Sequence, residues 1–509
     1  MGALFALENL LLLSFIVPLA AALIISRLDD EPNVREGVTI IAAVLLFTIN
    51  VLIYLALPEA TNFSLTLAEP MPGLAIAFGI ESFGVMFALI ASGLWIVTSI
   101  YAIGYMRGHH EENQTRFFML FAIALAGVMA IAYSKNLLTL FLFYEVLTVS
   151  TYPLVTHAGT SKARKGGRTY LTLLMGSSIV FFLPAIIIVY SATGNLDFKA
   201  GGFLAGQFDP AWLAPLMLLF LLGIGKAGMM PMHKWLPAAM VAPTPVSALL
   251  HAVAVVKAGV FSILKIVMFV VGPDFLSQTT STHWLLWLPM ITIVVASLIA
   301  MTKDNLKERL AYSTISQLSY IILGALLANS MGLLGGSLHI AMHAFAKITL
   351  FFAAGAILVA THKTLVSELD GLGRYMPVTF TLFFLATLSI IGIPLLGGMW
   401  SKWYLISGVS SFAGNAIIGW ALMLTLVISS LLNIAYLLVI PVRAFFAQPL
   451  SDKQYQEAPL PCLIGMLIPA ALCVYLFFDP DIFYQLASAA LPNDAQAALP
   501  SISLGASSQ

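Results

Sequence analysis

Residues 223–261 read GIGKAGMMPMHKWLPAAMVAPTPVSALLHAVAVVKAGVF, a long apolar run interrupted by prolines, glycines and single positive charges. Pro231 and Pro237 each remove a backbone donor and disturb the preceding helical turn. Lys226 lies between glycines just before these prolines, and Lys257 lies inside the apolar stretch that follows. An ionised side chain at the centre of a bilayer costs about 3 kcal/mol or more, so lysines in such surroundings predict a functional site inside a membrane protein.

The composition of the whole chain also indicates a membrane protein. Of 509 residues, 60% are apolar and 9% are charged, whereas soluble domains carry about 25% charged residues. The formal net charge is zero, which leaves no basic surface for nucleic acid. The sequence has no glycine-rich dinucleotide fingerprint, no phosphate-binding loop and only two cysteines, so no cofactor or metal site is predicted. A soluble enzyme is excluded.

Fourteen apolar segments are long enough to cross a bilayer, which takes about 20 residues. We number them spans 1–14, and their predicted ranges are 4–26, 36–57, 79–105, 116–133, 136–157, 169–192, 211–241, 244–271, 284–302, 308–328, 331–361, 376–408, 415–440 and 459–478. The first charged residue, Glu8, is acidic, so span 1 is predicted to be a transmembrane helix and not a cleaved signal. The predicted fold class is an all-α polytopic membrane protein.

The distribution of basic residues predicts the orientation of the chain. With the N-terminus outside, the cytoplasmic loops hold fifteen of the 23 Lys and Arg residues, and the outer loops hold only Lys135 and Lys199. The other six lie inside predicted spans, namely Lys226, Lys234, Lys257, Lys265, Lys347 and Lys402. This bias follows the positive-inside rule. Both termini are therefore predicted on the outer side, which is the periplasmic side of a bacterial inner membrane.

Span 12 is interrupted in the same way as span 7, with Pro394, Gly397 and Gly398 just before Lys402. The two spans are five apart, which predicts two five-helix repeats, and because five is odd the second repeat is inverted. Broken helices at matching positions of inverted repeats indicate an ion site near mid-membrane. The predicted domains are an N-terminal three-helix segment (1–110), a first repeat of spans 4–8 (111–272), a second repeat of spans 9–13 (273–440), and span 14 with a flexible tail (441–509).

Glu145 in span 5 is the one carboxylate predicted deep inside a span. A nearby ammonium group would favour its charged form, and Lys226 is the natural partner. A pair that opens and closes could relay protons, and a static buried ion pair is the alternative. In span 8, His251 and Lys257 lie less than two helical turns apart. They could carry a proton laterally, although His251 could also be a packed polar residue.

Two further charged residues are predicted near the ends of their spans. Lys265 lies towards the outer end of span 8, where its side chain is expected to snorkel to the interface. Glu81 lies near the outer end of span 3 and is also expected to reach the interface. Neither residue is predicted to belong to the relay.

Span 11 places His339, His343 and Lys347 at four-residue intervals, so the three side chains lie on one helix face. Two histidines at this spacing could also hold a metal or a haem, but no third His, Cys or carboxylate accompanies them in the span. A hydrated proton path that leads to Lys402 is the preferred interpretation.

Several stretches of the chain resemble the signature of the antiporter-like membrane subunits. Besides residues 223–261, they are LKERLAYSTISQLSYI at 306–321, HIAMHAFAKITLFFAAG at 339–355 and GIPLLGGMWSKWYL at 392–405. This family includes the proton-pumping membrane subunits of respiratory complex I, the large subunits of Mrp-type cation/proton antiporters, and chains of membrane-bound hydrogenases. The resemblance covers roughly residues 75–440 and implies fourteen helices, two inverted repeats and a line of buried lysines.

The resemblance also implies roles for individual residues. Glu145 and Lys226 look like the charge pair of a first half-channel, Lys307 matches the cytoplasmic end of span 10, and Lys402 matches the terminal charge of a second half-channel. The full proton relay that it implies is Glu145, Lys226, His251, Lys257, Lys307, His339, His343, Lys347 and Lys402.

Two functions are compatible with this resemblance. The lysine at position 402 is the residue type found at the matching position of the complex I subunit that carries a long lateral helix. The chain ends about thirty residues after span 14, which leaves no room for that helix. The resemblance therefore favours the D-type subunit of a Mrp-type antiporter, which exchanges Na⁺ or another monovalent cation for H⁺. The alternative is a proton-pumping subunit of a complex I-like NADH-quinone oxidoreductase or a membrane-bound hydrogenase. Other membrane subunits are the expected partners, and any redox centre would lie in those chains.

Overall fold

A computed structural model describes residues 6–60, 63–71, 73–249, 253–449, 455–492, 496 and 499. Within these residues eleven helices are long and apolar enough to cross a membrane, and shorter or broken helices form the predicted spans 7, 8 and 12, so the predicted fold class is confirmed. The spans are Leu7–Ile25, Pro32–Leu55, Ser82–Gly108, Gln114–Ala132, Leu137–Val155, Ser161–Thr193, Pro210–Gly223 with the turns that follow it, Thr244–Ala248 with Val255–Ile266, Thr280–Thr302, Leu306–Leu327, Ser330–Thr361, Pro377–Ile391 with Gly398–Ser410, Ala416–Phe446 and Leu460–Phe478.

A β-hairpin between spans 2 and 3 is a feature that the sequence prediction lacked. Strand β1 (Ser64–Met71) pairs antiparallel with β2 (Leu74–Gly79). The hairpin is anchored because Gly79 donates its N–H to the Tyr133 carbonyl at 2.8 Å, and the Lys135 N–H donates to the Ala77 carbonyl at 3.0 Å. We call the side of the membrane that carries this hairpin the hairpin face, and the opposite side the basic face.

Spans 8, 10 and 11 form the centre of the bundle. In span 10, 94% of the most apolar 18-residue window is buried, compared with 39% in spans 1 and 2. Every residue of the helix Val255–Ile266 in span 8 is buried as well. Because lipid can reach little of these central spans, charged groups on them face other protein groups or enclosed water.

The predicted interruption of span 7 is present. Its helix ends at Gly223 and short turns follow at Gly225–Ala227, Met232–Lys234 and Ala239–Val241. The interruption releases backbone groups that need partners in the membrane. The N–H of Lys226 donates to the Tyr144 hydroxyl at 3.0 Å, and the Gly225 carbonyl accepts from the Trp235 indole at 2.8 Å.

Span 12 is also interrupted as predicted. One helix ends at Ile391 and the next begins at Gly398. The released Ile391 carbonyl accepts a hydrogen bond from Lys402 Nζ at 2.9 Å, and the Gly397 N–H donates to the Cys473 carbonyl at 2.7 Å. Each interruption therefore places a buried lysine beside backbone groups that would be hydrogen-bonded within the helix if the helix were continuous.

Two span boundaries of the sequence prediction are wrong. The helix of span 6 begins at Ser161, eight residues before the predicted start at 169. Span 13 was predicted to end at 440, but its helix continues to Phe446, and a wider π-helical turn at Ile434–Leu438 lies within it. The flexibility of the tail stays a prediction, and the chain just after span 14 forms the helix Asp481–Ser488. An aromatic contact holds this helix, because Phe483 packs on Phe345 with ring centroids 5.9 Å apart. The division into the four domains stays a prediction.

Fourteen spans return the chain to the side of the membrane on which it started. We therefore expect a reporter fused after Gln509 to lie on the hairpin face. If that face is periplasmic, a C-terminal alkaline phosphatase fusion will be active and a fluorescent protein that folds only in the cytoplasm will be silent. A fusion in the connection at Asn305, on the basic face, should give the opposite pattern. Cytoplasmic fluorescence from the C-terminal fusion would contradict the predicted orientation.

Candidate functional site

The first part of the site surrounds Lys226 at the interruption of span 7. Its side chain is fully buried, and Nζ donates to the Tyr144 carbonyl at 2.8 Å and to the Thr148 hydroxyl at 2.5 Å. The same nitrogen lies 3.2 Å from the centre of the Tyr144 ring. Span 5 therefore solvates the ammonium group with a carbonyl, a hydroxyl and an aromatic face, which together offset part of the cost of burying a charge.

Glu145 is the next residue along span 5, but Lys226 donates to its neighbours and not to its carboxylate. Both Glu145 oxygens are buried, and within the described residues they have no hydrogen-bond partner. The structure thus brings the two predicted partners to the same place with the ion pair open. That the pair opens and closes as a switch stays a prediction.

Span 8 lies directly against the interruption of span 7 at a glycine. A Cβ atom on Gly259 would overlap backbone atoms of Lys226 and Ala227. This close contact brings the segment with Lys257 next to the segment with Lys226. A residue with any side chain at position 259 would separate the two spans.

We expect Gly259→Ala to reduce transport sharply, because the added methyl group meets backbone and displaces Lys226. Overpacking of this kind costs about 1–3 kcal/mol. Gly176→Ala in span 6 is the matched control, since a Cβ there meets nothing within 4 Å. Ion flux per assembled protein should fall in the first variant and stay unchanged in the second. Equal flux in both variants would show that the close packing of spans 7 and 8 is not needed.

Lys257 connects the two halves of the chain. It is fully buried, and its Nζ lies 2.6 Å from Nδ1 of His343 in span 11. This is a direct contact between the first predicted repeat and the second. His251, the other residue predicted at this connection, lies outside the described residues.

Lys226 and Lys257 begin a row of buried titratable side chains. This row continues through His343 and His339 of span 11 towards Lys402. The rings of His343 and His339 have centroids 5.7 Å apart, and His339 Nδ1 lies 2.8 Å from the Ser401 hydroxyl. Tyr320 stacks on His339 at 5.9 Å, and Lys402 Nζ lies 5.3 Å from the centre of the same tyrosine ring. Lys402 is buried, so it faces the protein and not lipid.

Of the two remaining predicted residues, Lys347 lies beside this row and Lys307 lies at one end of the site. Lys347 Nζ donates to the Ser313 hydroxyl at 2.5 Å, and that hydroxyl also accepts from Tyr436 at 3.1 Å. Lys307 Nζ donates to the Ala242 carbonyl at 2.7 Å on the basic face. There it lines a cavity of about 280 Å³ together with Lys162. Lys307 therefore lies at the basic-face end of the site, away from the centre of the row.

The prediction that Lys265 snorkels to the interface is wrong. Its side chain is fully buried and forms an ion pair with Glu81 Oε1 at 2.5 Å. It also donates to the Ser134 carbonyl at 2.7 Å. The sequence did not suggest this contact, because Glu81 lies far away along the chain and belongs to the start of span 3.

Buried lysines and histidines thus follow one another from one interrupted span to the other. This arrangement is the one that the resemblance to antiporter-like membrane subunits implies. This chain belongs to the family described as NADH:quinone oxidoreductase/Mrp antiporter, TM, which matches residues 134–432. The resemblance drawn from the sequence motifs is confirmed.

Relatives in this family come from different assemblies. The chain is 32% identical to NADH-quinone oxidoreductase subunit N of Desulforudis audaxviator (strain MP104C), over 71% of each chain. It is 29% identical to a probable K(+)/H(+) antiporter subunit of Rhizobium meliloti (strain 1021), over 79% of this chain but only 41% of that one. A solved Mrp complex from Dietzia sp. DQ12-45-1b contains a chain with the same fold, with a TM-score of 0.82 at 24% identity. That match covers 97% of this chain and 52% of the other.

Proposed function

We propose that this chain is the ion-translocating subunit of a Mrp-type antiporter that exchanges Na⁺ or another monovalent cation for H⁺. The observation that supports it is the row from Lys226 through Lys257, His343 and His339 to Lys402. Its members are buried, and several contact hydrogen-bonding groups that can pass a proton on. The similarity to a Mrp complex and to a K(+)/H(+) antiporter component supports this choice of assembly.

The row would act as two half-channels joined at Lys257. A proton taken up in one half would move between lysines and histidines, with enclosed water bridging the gaps that exceed hydrogen-bond length. Other membrane subunits of the complex are the proposed partners. The proposed location is a bacterial inner membrane with both termini on the outer side, and the domains are the four predicted from the sequence.

A second candidate function is proton pumping in a complex I-like NADH-quinone oxidoreductase. The similarity to a subunit N over 71% of each chain favours it. In that case the buried row would also conduct protons, but a redox reaction in partner chains would drive the proton transport and no cation would be exchanged.

Inside-out vesicles that contain the assembled complex distinguish the two functions. After a pH gradient has been formed, addition of Na⁺ or K⁺ should collapse it if the complex is an antiporter. If NADH oxidation builds the gradient and neither cation affects it, the second function holds. Lys226→Ala should abolish the response in either case, whereas Lys234→Ala, at an exposed position of the same span, should not. An unchanged response in Lys226→Ala vesicles would reject both functions for this chain.

A further inference from the structure

Glu81, the acidic partner of Lys265, lines a cavity on the hairpin face. This cavity has a volume of about 230 Å³, and Glu81, Ser134 and Lys135 are among the residues that line it. The Glu81 side chain is 26% exposed, whereas Lys265 is 0% exposed. The carboxylate therefore faces the cavity and the ammonium group faces the interior of the protein.

The wall of the cavity is built from backbone that several segments hold in place. The Phe198 N–H donates to the Lys135 carbonyl at 2.9 Å, and the Lys199 N–H donates to the Phe269 carbonyl at 3.0 Å. Phe198 also offers its ring to the ammonium group of Lys265, 4.6 Å from Nζ. The other charged residues around the pair are Lys135, Lys199 and Asp197, and none of them forms a described ion pair with Lys265 or Glu81.

Lys265 shares one face of span 8 with Lys257. The two lysines are eight residues apart on the helix Val255–Ile266, which corresponds to a rise of about 12 Å. Phe261 lies midway between them on the same face. Its ring stacks on Phe83 and Phe87 of span 3, with centroids 4.7 Å and 4.8 Å apart. This fully buried aromatic stack separates the central row from the ion pair at the cavity.

We propose that Glu81 and Lys265 form a port where protons pass between the central row and the water of the hairpin face, with Phe261 as its gate. This proposal rests on the proposed function and names a proton-exchange site for the first half of the chain. Hydrophobic constrictions of this kind control conduction by excluding water.

Proton release through the port has three balanced steps. The Lys265 ammonium gives a proton to the Glu81 carboxylate, which leaves a neutral amine and a neutral carboxylic acid. The acid then gives the proton to water in the cavity and regains its charge. When the Phe261 ring turns aside, water reaches Lys265 and passes it a proton from Lys257. Uptake from the hairpin face follows the same steps in reverse.

Opening the gate should create a passive proton leak. We test this in membrane vesicles that carry the assembled complex, in buffer free of Na⁺ and K⁺, with an imposed pH step and a pH-sensitive dye to follow proton flux. Phe261→Ala should raise the passive flux on the order of tenfold, because the dry barrier is gone. Phe121→Ala removes a buried phenylalanine from the helix of span 4, outside this aromatic stack, and should leave the flux unchanged. Phe261→Leu should leak little.

The leak should depend on Glu81 and not on loosened packing alone. Adding Glu81→Gln to Phe261→Ala should return the flux to the wild-type level, and Glu81→Asp should preserve the leak. A Phe261→Ala leak no larger than that of Phe121→Ala, or one that survives Glu81→Gln, would overturn the port. If Phe261→Ala fails to assemble, Glu81→Cys provides the test. A membrane-impermeant thiol reagent applied from the hairpin face should label it above the wild-type background, and no labelling would overturn the proposal.

The two proposals fail in different ways. If Lys257→Met leaves transport intact, the central row is not the path and the proposed function is wrong. If Lys257→Met blocks transport while Phe261→Ala adds no leak, the row is the path but protons do not leave it at Glu81.

Discussion

Replacing Lys257 with Met is expected to stop ion transport almost completely while the complex still assembles. Lys257 makes a direct contact between titratable groups of the two halves, because its Nζ lies 2.6 Å from His343 Nδ1 in span 11. Methionine has a similar shape and fills the same space, but it cannot carry a proton. A positioned acid–base group typically contributes on the order of 100-fold or more to a proton-transfer rate. We expect a loss of that size in flux per assembled complex.

Lys257→Arg separates the loss of charge from the loss of proton transfer. Arginine keeps the positive charge, but it does not deprotonate under physiological conditions. We therefore expect it to assemble as well as the wild type and to transport as poorly as Lys257→Met. Normal transport by Lys257→Arg would mean that a fixed charge is sufficient at this position, and the relay through Lys257 would be wrong.

The second large effect is expected at Glu145 and Lys226. Glu145→Gln and Lys226→Ala should each reduce transport on the order of 100-fold. The double variant should be little worse than either single one, because residues that act as one unit are not additive. The physical reason for this coupling is that the ion pair between Glu145 and Lys226 is open in the structure. A carboxylate without a described partner lies beside an ammonium group that other acceptors already hold.

Thr148→Val is the matched control for this pair. It removes one of the acceptors of Lys226 Nζ but no titratable group, so transport should fall less than in either charge variant. If the losses of Glu145→Gln and Lys226→Ala instead add up in the double variant, the two residues act independently and do not form a switch.

The sequence predicts the features of the fold that depend on local signals. Interruptions of spans 7 and 12 follow from prolines and glycines inside apolar segments, since these residues cannot continue a helix without losing hydrogen bonds. The lysines beside them stand out because buried charges are costly. The shared face of His339, His343 and Lys347 follows from helical spacing alone.

Residues that complete the row could not be predicted in the same way. Tyr320, Ser401 and Ser313 are ordinary polar residues of membrane helices, and they become important because spans 10, 11 and 12 pack together. The same reason explains the error at Lys265. Its position near a helix end favoured snorkelling, but the carboxylate that pairs with it comes from the start of span 3.

The β-hairpin could have been anticipated from the sequence. Residues 64–79 read SLTLAEPMPGLAIAFG, in which large apolar residues alternate with small or polar ones on both sides of a Pro-Gly pair. Alternation with a turn signal predicts a hairpin. This hairpin signal is short, and the rest of the sequence is dominated by apolar segments of helical length.

Both halves of the chain are proposed to form one path in series, and proton flux in three variants distinguishes this path from two independent ones. Flux per assembled complex is measured for Lys226→Ala, Lys402→Ala and the double variant. If the path is in series, each single variant is nearly inactive and the double variant is no worse. If each single variant keeps about half of the wild-type flux and only the double variant is inactive, the halves conduct independently and the path is not in series.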